Sequence, residues 1–221
     1  LQNQVKKYWT VTPYELIDQA TFQLKRTDKD CSFLILSEVV FIKDNLQAKY
    51  DFFSLLLGGN YNIINKMPVL GAVPIGYSGA PQESSMYKIG AILKFLQAHI
   101  LMLKEHPERI NNDNMFKYYN DNQKSIKDKT LYLIKEEQSP DLNSTAKISA
   151  IYPYKIKFVT RDELEEAIDA ETQDVVFLHK VGPEGTKAKA RCFKIIMGTD
   201  KELYYFDWHM ISANKPDGLL E

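Results

Sequence analysis

Residues 70–79 read LGAVPIGYSG, and three different folds depend on how that stretch is taken. Gly71 and Gly76 have the spacing of the phosphate-binding loop G-x-x-x-x-G-K-[ST], and Ser78 stands in its last place. The lysine of that loop is here Tyr77, so the charge that reaches the β- and γ-phosphates is missing. The helix should also begin inside the motif, with its N-terminus facing the phosphates, whereas Gly79-Ala80-Pro81 intervenes. A nucleotide-binding loop is set aside on both grounds.

The second reading is the elbow of a serine hydrolase. Gly76-Tyr77-Ser78-Gly79-Ala80 departs from G-x-S-x-G by one methyl group. A triad in the order Ser78, Asp174, His209 can be written down, but acids are plentiful and such triples come cheaply. Pro74 lies inside what should be a central strand, where it cannot donate to the ladder. The hydrolase fold also needs more chain ahead of its elbow. The third reading is adopted: an edge strand, a Gly-rich turn, and Ser84 or Ser85 capping the helix that follows.

That helix is expected from about Ser84 to His106. Ile89, Leu93, Leu96, Ile100 and Leu103 form one stripe, with Ile92, Phe95, His99 and Met102 beside it. So wide an apolar face belongs between two layers or in an oligomer interface, and a homodimer through this helix is one expectation. Upstream, YWTV reads as a strand. TPYELIDQATFQL reads as a helix capped by Thr12, with Pro13 first and Glu15 third, and CSFLILSEVVF reads as a second strand. NLQAKYDFFSLLL, with Leu46, Tyr50, Phe53 and Leu57 on one stripe, reads as a helix capped by Asp44 and stopped at Gly58-Gly59.

Residues 107–128 are Asn- and Lys-rich with little periodicity and read as a linker. They separate an N-terminal half, 1–106, from a C-terminal half, 129–221, which could also form one continuous domain. In the second half TLYLIK, KIKFV and DVVFLHKV read as strands. Helices are expected around Ser144–Ala150 and at TRDELEEAIDA. VTPYEL (11–16) and VTRDEL (159–164) match at Val, Thr, Glu and Leu. Either a strand–helix–strand unit is duplicated or two helix starts share the same capping chemistry. The fold class expected is α/β, a mixed sheet with helices on both faces.

RCFKIIMGTDKELYYFDWHM reads as an antiparallel hairpin. A four-residue loop, Thr199 to Glu202, faces Gly198 with Leu203, Lys194 with Asp207 and Cys192 with His209. It collects Phe193, Ile195, Met197, Tyr204, Phe206, Trp208 and Met210 on one apolar face, and register follows burial. The opposite face then carries Tyr205, Asp207, His209, Cys192 and Lys194. Cys192 beside His209 has the form of a nucleophile and base, although no third group is in view to orient the imidazole.

DVVFLHKV ends in His179 and Lys180, followed by GPEGTKAKAR. Ligands in open α/β sheets sit beyond the carboxyl ends of strands. His179, Lys180, Gly182, Gly185 and Lys187, with Lys189 and Arg191 adding charge, are therefore candidates for holding a small anionic ligand. A solvated loop is the plainer explanation of such a charge run.

The 221 residues are 44% hydrophobic and 26% charged, a globular balance. With a formal net charge of −1 nothing global points to a nucleic-acid partner, which leaves only a local basic patch for one. The greasiest run, IGAILKFLQAHILML, is broken by Lys94 and His99, so no membrane span is expected. Cys31 and Cys192 stand too far apart in sequence for a disulfide scaffold or a cysteine zinc site, and two free thiols are expected rather than one bridge. The four His are scattered without metal-ligand spacing, and no cofactor motif is present.

The run from VGPEGTKAKARCFKIIMG through ELYYFDWHMISANKPDGLL resembles the end of uncharacterised secreted proteins from Bacteroides-type bacteria, over about the last fifty residues. The resemblance carries no activity with it. It implies export to the periplasm or beyond, which agrees with a chain that starts at Leu1 rather than Met. The function expected is a non-catalytic binding or interaction domain of an exported bacterial protein. The alternative is a hydrolase using Ser78 or the Cys192/His209 pair.

Overall fold

Two sheets share one hydrophobic core in the computed structural model, which describes residues 1–44, 47–77, 85–110, 115–138, 142–182 and 190–211. The first is an antiparallel meander of β1 (Ser32–Val40), β2 (Lys49–Leu57) and β3 (Val69–Tyr77), in that order. The second has five strands in the order β5-β4-β6-β7-β8: β4 (Thr130–Ile134), β5 (Lys155–Val159), β6 (Val175–Val181), β7 (Ala190–Gly198) and β8 (Leu203–Ile211). It is mixed, because β4 pairs in parallel with β5 and β6, while β6, β7 and β8 run antiparallel. Five α-helices accompany the sheets among the described residues: α1 (Gln2–Tyr8), α2 (Gln19–Lys25), α3 (Ile89–Glu105), α4 (Thr145–Ser149) and α5 (Arg161–Asp169).

The α/β class with a mixed sheet is as the sequence implies. One face of the five-stranded sheet packs Ile134, Phe177, Ile195 and Met197 against α3, α5 and the first sheet. The other packs Leu131, Leu133 and Val176 against Ile148 of α4 and Ile126. Alternate residues of each strand thus feed two separate clusters, as the pleat requires. The larger cluster draws on Phe53, Leu70 and Leu96 from one side of residues 107–128 and on Ile168 and Leu203 from the other.

α3 is the centre of this arrangement. Ile92, Leu93 and Leu96 are completely enclosed, and Phe95 and Met102 of the second stripe are 4% and 5% exposed. Both stripes are therefore covered within the chain, by β3, α1 and α5. Met86–Glu105 is the one helical stretch among the described residues that is long and apolar enough to cross a membrane, and 72% of its most apolar window is buried inside the protein. The two polar side chains expected to break it are accommodated. Lys94 reaches the Ile168 carbonyl at 2.8 Å and Glu171 at 3.0 Å, and His99 lies in the core.

Several local expectations are corrected. YWTV is not a strand. The backbone N–H groups of Thr10 and Val11 donate to the Gln97 side-chain oxygen at 2.6 and 3.0 Å, and the Gln97 amide donates to the Tyr8 carbonyl at 2.8 Å. A buried glutamine on α3 takes the hydrogen bonds that a sheet neighbour would have taken. Thr12 caps nothing; its hydroxyl accepts from the Trp9 indole, and the helix starts six residues later, with Asp18 accepting from the Thr21 N–H at 2.8 Å. VTPYEL thus forms no helix start, whereas Thr160 and Glu163 of VTRDEL form a complete capping box. Only the second half contains a strand–helix–strand unit at that position, and shared residue chemistry accounts for the match.

The largest correction is β2, read from its 3.6-residue spacing as a helix. It is the central strand of the meander, with Tyr50, Phe53, Ser54, Leu55 and Leu56 buried. A strand covered on both faces is continuously apolar and mimics a helix, and the aromatics Tyr50, Phe52 and Phe53 are the residue types that favour the strand. Asp44 is no cap; it accepts from Arg191 Nε at 2.9 Å. β3 is an edge strand, as Pro74 implies. Pro74 sits beside an irregularity in the ladder, opposite Phe52.

The hairpin pairs Cys192 with His209, Lys194 with Asp207 and Ile196 with Tyr205, the expected register. A bulge after Ile196 then sets Met197, not Gly198, opposite Leu203, and carries Tyr204 into the second cluster. Phe206 and Trp208 were expected in the core and are instead 38% and 42% exposed, because β8 is the outermost strand of its sheet. Trp208 lies against the Arg191 guanidinium, 4.2 Å from its ring centroid, and Phe41 meets the same group at 4.2 Å. Trp208→Ala is expected to cost about 1–2 kcal/mol in urea unfolding, from partial apolar burial and one cation–π contact. A cost above about 3 kcal/mol would restore the core placement.

Candidate functional site

The carboxyl ends of β4, β5 and β6 converge on a buried charge cluster. Chain leaving β4 turns through a 3-10 segment, Lys135–Glu137, and chain leaving β5 enters α5 at Arg161. The start of α3 arrives from the other side, through the 3-10 turn Met86–Lys88. Glu137 is the hub. Its carboxylate accepts from Lys88 Nζ at 3.0 Å and from the Tyr87 hydroxyl at 2.7 Å, and lies 3.4 Å from the Arg161 guanidinium. Lys180 donates to the Glu137 carbonyl at 3.4 Å. The Lys88 ammonium and the Arg161 guanidinium also approach the Tyr87 ring, at 4.9 and 5.5 Å from its centroid.

The charges are unevenly exposed. The side chain of Lys88 is 3% exposed, that of Glu137 24% and that of Arg161 46%. Burial acts to raise the Glu137 carboxyl. The Lys88 ammonium, hydrogen bonds from Tyr87 and Lys88, and Arg161 outweigh it and hold the group below the usual carboxylate range. Burial pulls the Lys88 ammonium down, opposed by Glu137. Burial and the adjoining carboxylate raise the Tyr87 phenol, which stays protonated and donates. Lys88 and Tyr87 both donate to the Glu137 carboxylate, which offsets part of what burial costs the ammonium.

Removing one partner of such a pair leaves the other buried and unmatched. Glu137→Ala is expected to cost about 3–5 kcal/mol in chemical unfolding, and Lys88→Met with Glu137→Gln to recover most of that. A loss below about 1 kcal/mol for Glu137→Ala would show that the ammonium finds water instead.

Of the residues the sequence pointed to, Lys180 joins this cluster and His179 lies beside it. The two point to opposite sides of β6. His179 is 1% exposed, and its Nε2 lies 2.7 Å from the Pro74 carbonyl of β3, which can only accept, so Nε2 carries the proton. Burial, with the Lys88 ammonium adding to it, pulls its pKa down to about 4. It is a neutral bridge between the two sheets, not a ligand-facing side chain. Gly182 packs so closely on β7 that a Cβ there would stand 2.7 Å from the Arg191 carbonyl oxygen. Gly185, Lys187 and Lys189 lie outside the described residues, as does Ser78.

Cys192 and His209 are brought opposite each other. Cys192 is 3% exposed in a small apolar cluster with Ala190 and Ile211, however, which shields a thiol rather than presenting it. Asp207 accepts from the Tyr205 hydroxyl at 3.2 Å and from the Trp208 N–H at 2.8 Å. Asp174 precedes β6 and pairs with Lys129, at the end of the sheet where β7 reaches Gly198; His209 faces Cys192 at the other end. The order Ser78, Asp174, His209 is therefore no triad. Neither Cys31 nor Cys192 is in a disulfide. Among the described residues no group of three or more His, Cys, Asp or Glu is placed to hold a metal ion.

The sequence reading missed Tyr87, Lys88, Glu137 and Arg161. Two signals were present: a lysine set at the edge of the longest apolar run, and the acidic pair Glu136-Glu137 one residue after the TLYLI strand. Comparison with family models, with curated proteins and with solved structures finds no match.

Proposed function

We propose that the protein is a non-catalytic binding domain of an exported bacterial protein, and that it holds a small anionic ligand, a carboxylate or phosphate, at the carboxyl edge of β4, β5 and β6. One observation carries this reading. Two cations, Lys88 and Arg161, share the single carboxylate of Glu137, and the Arg161 side chain remains half exposed. A planar guanidinium offers paired donors that suit a carboxylate or phosphate, and a buried ammonium behind it adds field where water is scarce. The position beyond the carboxyl ends of parallel strands is where α/β sheets bind ligands. Export is supported by the resemblance at the C-terminus. The hydrolase alternative finds no support in an enclosed Cys192 thiol.

Calorimetric titration with inorganic phosphate and with succinate at low ionic strength tests the site. Binding is expected with at least one of them, weakened about tenfold or more by Arg161→Ala. Arg161 caps no core, so its variant should keep the parent unfolding midpoint. Equal affinity in the variant, or no heat with either anion at millimolar concentration, would remove this reading.

A further inference from the structure

A cavity remote from the charge cluster opens between β8 and the turns at residues 115–123. Its outer part, about 130 Å³, is lined by Phe116, Tyr119, Asn120, Gln123, Tyr205 and Phe206 among others. An inner recess of about 20 Å³ shares Phe116, Leu203 and Phe206 with it and ends at Gly71 and His99. Four rings are stepped along it. Phe95 and His99 lie 5.6 Å apart at 26°, His99 and Phe116 6.4 Å apart at 13°, and Phe116 and Phe206 5.3 Å apart at 30°.

His99 is 1% exposed, and its Nε2 has no hydrogen-bond partner. Its Nδ1 is 2.6 Å from the Tyr119 hydroxyl. The Leu70 backbone acts on the imidazole without giving Nε2 a partner at hydrogen-bond geometry. In the Tyr119 contact the phenol is the stronger donor and the imidazole nitrogen the stronger acceptor, so the Tyr119 hydroxyl donates, Nδ1 accepts and Nε2 carries the proton. The result is a buried N–H donor left open. Gly71 keeps it open, since a Cβ there would lie 3.3 Å from His99 Cδ2 and 3.9 Å from Nε2. Unsatisfied buried donors are uncommon and costly, and a ligand that completes one gains by it.

We propose that this cleft binds a single-ring aromatic compound carrying a carbonyl oxygen. The ring occupies the outer part, whose volume is of the order that takes one six-membered ring. There it stacks with Phe116 and Phe206, and Asn120, Gln123 and Tyr205 are at hand for polar substituents. The oxygen enters the inner recess, which has room for one water-sized group, and accepts from His99 Nε2. This site shares no residue with the anion site and does not depend on it.

The test is titration of the full chain, labelled with 15N at histidine, with acetophenone and with benzene, followed by nuclear magnetic resonance. Acetophenone is expected to move the His99 Nε2 resonance and to bind about tenfold more tightly than benzene. Gly71→Ala, which fills the recess, is expected to weaken acetophenone about tenfold. Phe206→Ala, on the half-exposed wall, should also weaken it and serves if the alanine at 71 prevents folding. Equal affinity for the two compounds, an unmoved His99 resonance on binding, or no binding at millimolar concentration would overturn the proposal.

Discussion

Phe95→Glu combined with Met102→Glu is expected to abolish folding. Both side chains lie within the core that the two sheets share, 4% and 5% exposed, on a helix contacted by β3, α1 and α5. Phe95 lies between His99 and Tyr119, with ring centroids at 5.6 and 5.7 Å. A carboxylate at either place would stand in a hydrophobic cluster. It either stays charged in an apolar site or takes up a proton at neutral pH, and each costs several kcal/mol. Emptying the aromatic site adds about 3–5 kcal/mol. Two such losses exceed the roughly 5–15 kcal/mol by which domains of this size are stable. Circular dichroism should show an unfolded chain or an aggregate. A folded variant of lower mass than the parent in light scattering would mean instead that the second stripe of α3 meets another copy, and a folded variant of unchanged mass would place that stripe in solvent.

Acidification is expected to weaken the protein steeply between pH 6.5 and pH 4, well before carboxylate protonation dominates. His99 and His179 are both buried, and burial pulls each from an ordinary 6.5 down to about 4. In the unfolded chain both take up protons near pH 6.5, whereas in the folded chain they resist until about pH 4. The unfolded state therefore binds more protons across this window, and stability rises with pH through it. The contribution is fully present above pH 6.5 and lost as pH falls towards 4. It amounts to roughly 3 kcal/mol for each histidine. Below that window the carboxyl groups held down by partners, Glu137, Asp169 and Glu171, continue the loss as they are protonated. Urea midpoints at pH 7, 5.5 and 4.5 measure the slope, and imidazole resonances report the two groups directly. A flat midpoint from pH 7 to 5, or a buried imidazole titrating near pH 6.5, would contradict the burial of these rings.

Interactions a few residues apart were legible in the sequence. The capping box of Thr160 and Glu163, Ser144 at the start of α4, the strand ending at Tyr77 and the pairing of Cys192 with His209 all rest on caps, alternation or turn length. Each is decided by a backbone group and a side chain that the chain itself holds close. The same reasoning failed at β2, where local spacing was compatible with two structures and burial on both faces selected the strand. It failed again at Trp208, whose residue type is right for a core but whose strand is the last in its sheet.

The candidate site was half legible. The carboxyl end of β6 and Lys180 were marked by their place after an apolar strand. Its centre was not, because Lys88 meets Glu137 across 49 residues of chain and His179 meets Pro74 across 105. From the sequence alone came the α/β class, the mixed sheet, the helix starts that carry their own caps and the register of the terminal hairpin, since near-neighbour sterics and hydrogen bonds suffice for them. Tertiary structure alone decided which charges are buried together, which histidines stay neutral and which aromatics reach the core. Desolvation and long-range pairing act on the residues that surround a group in space, and a linear spacing does not contain that information.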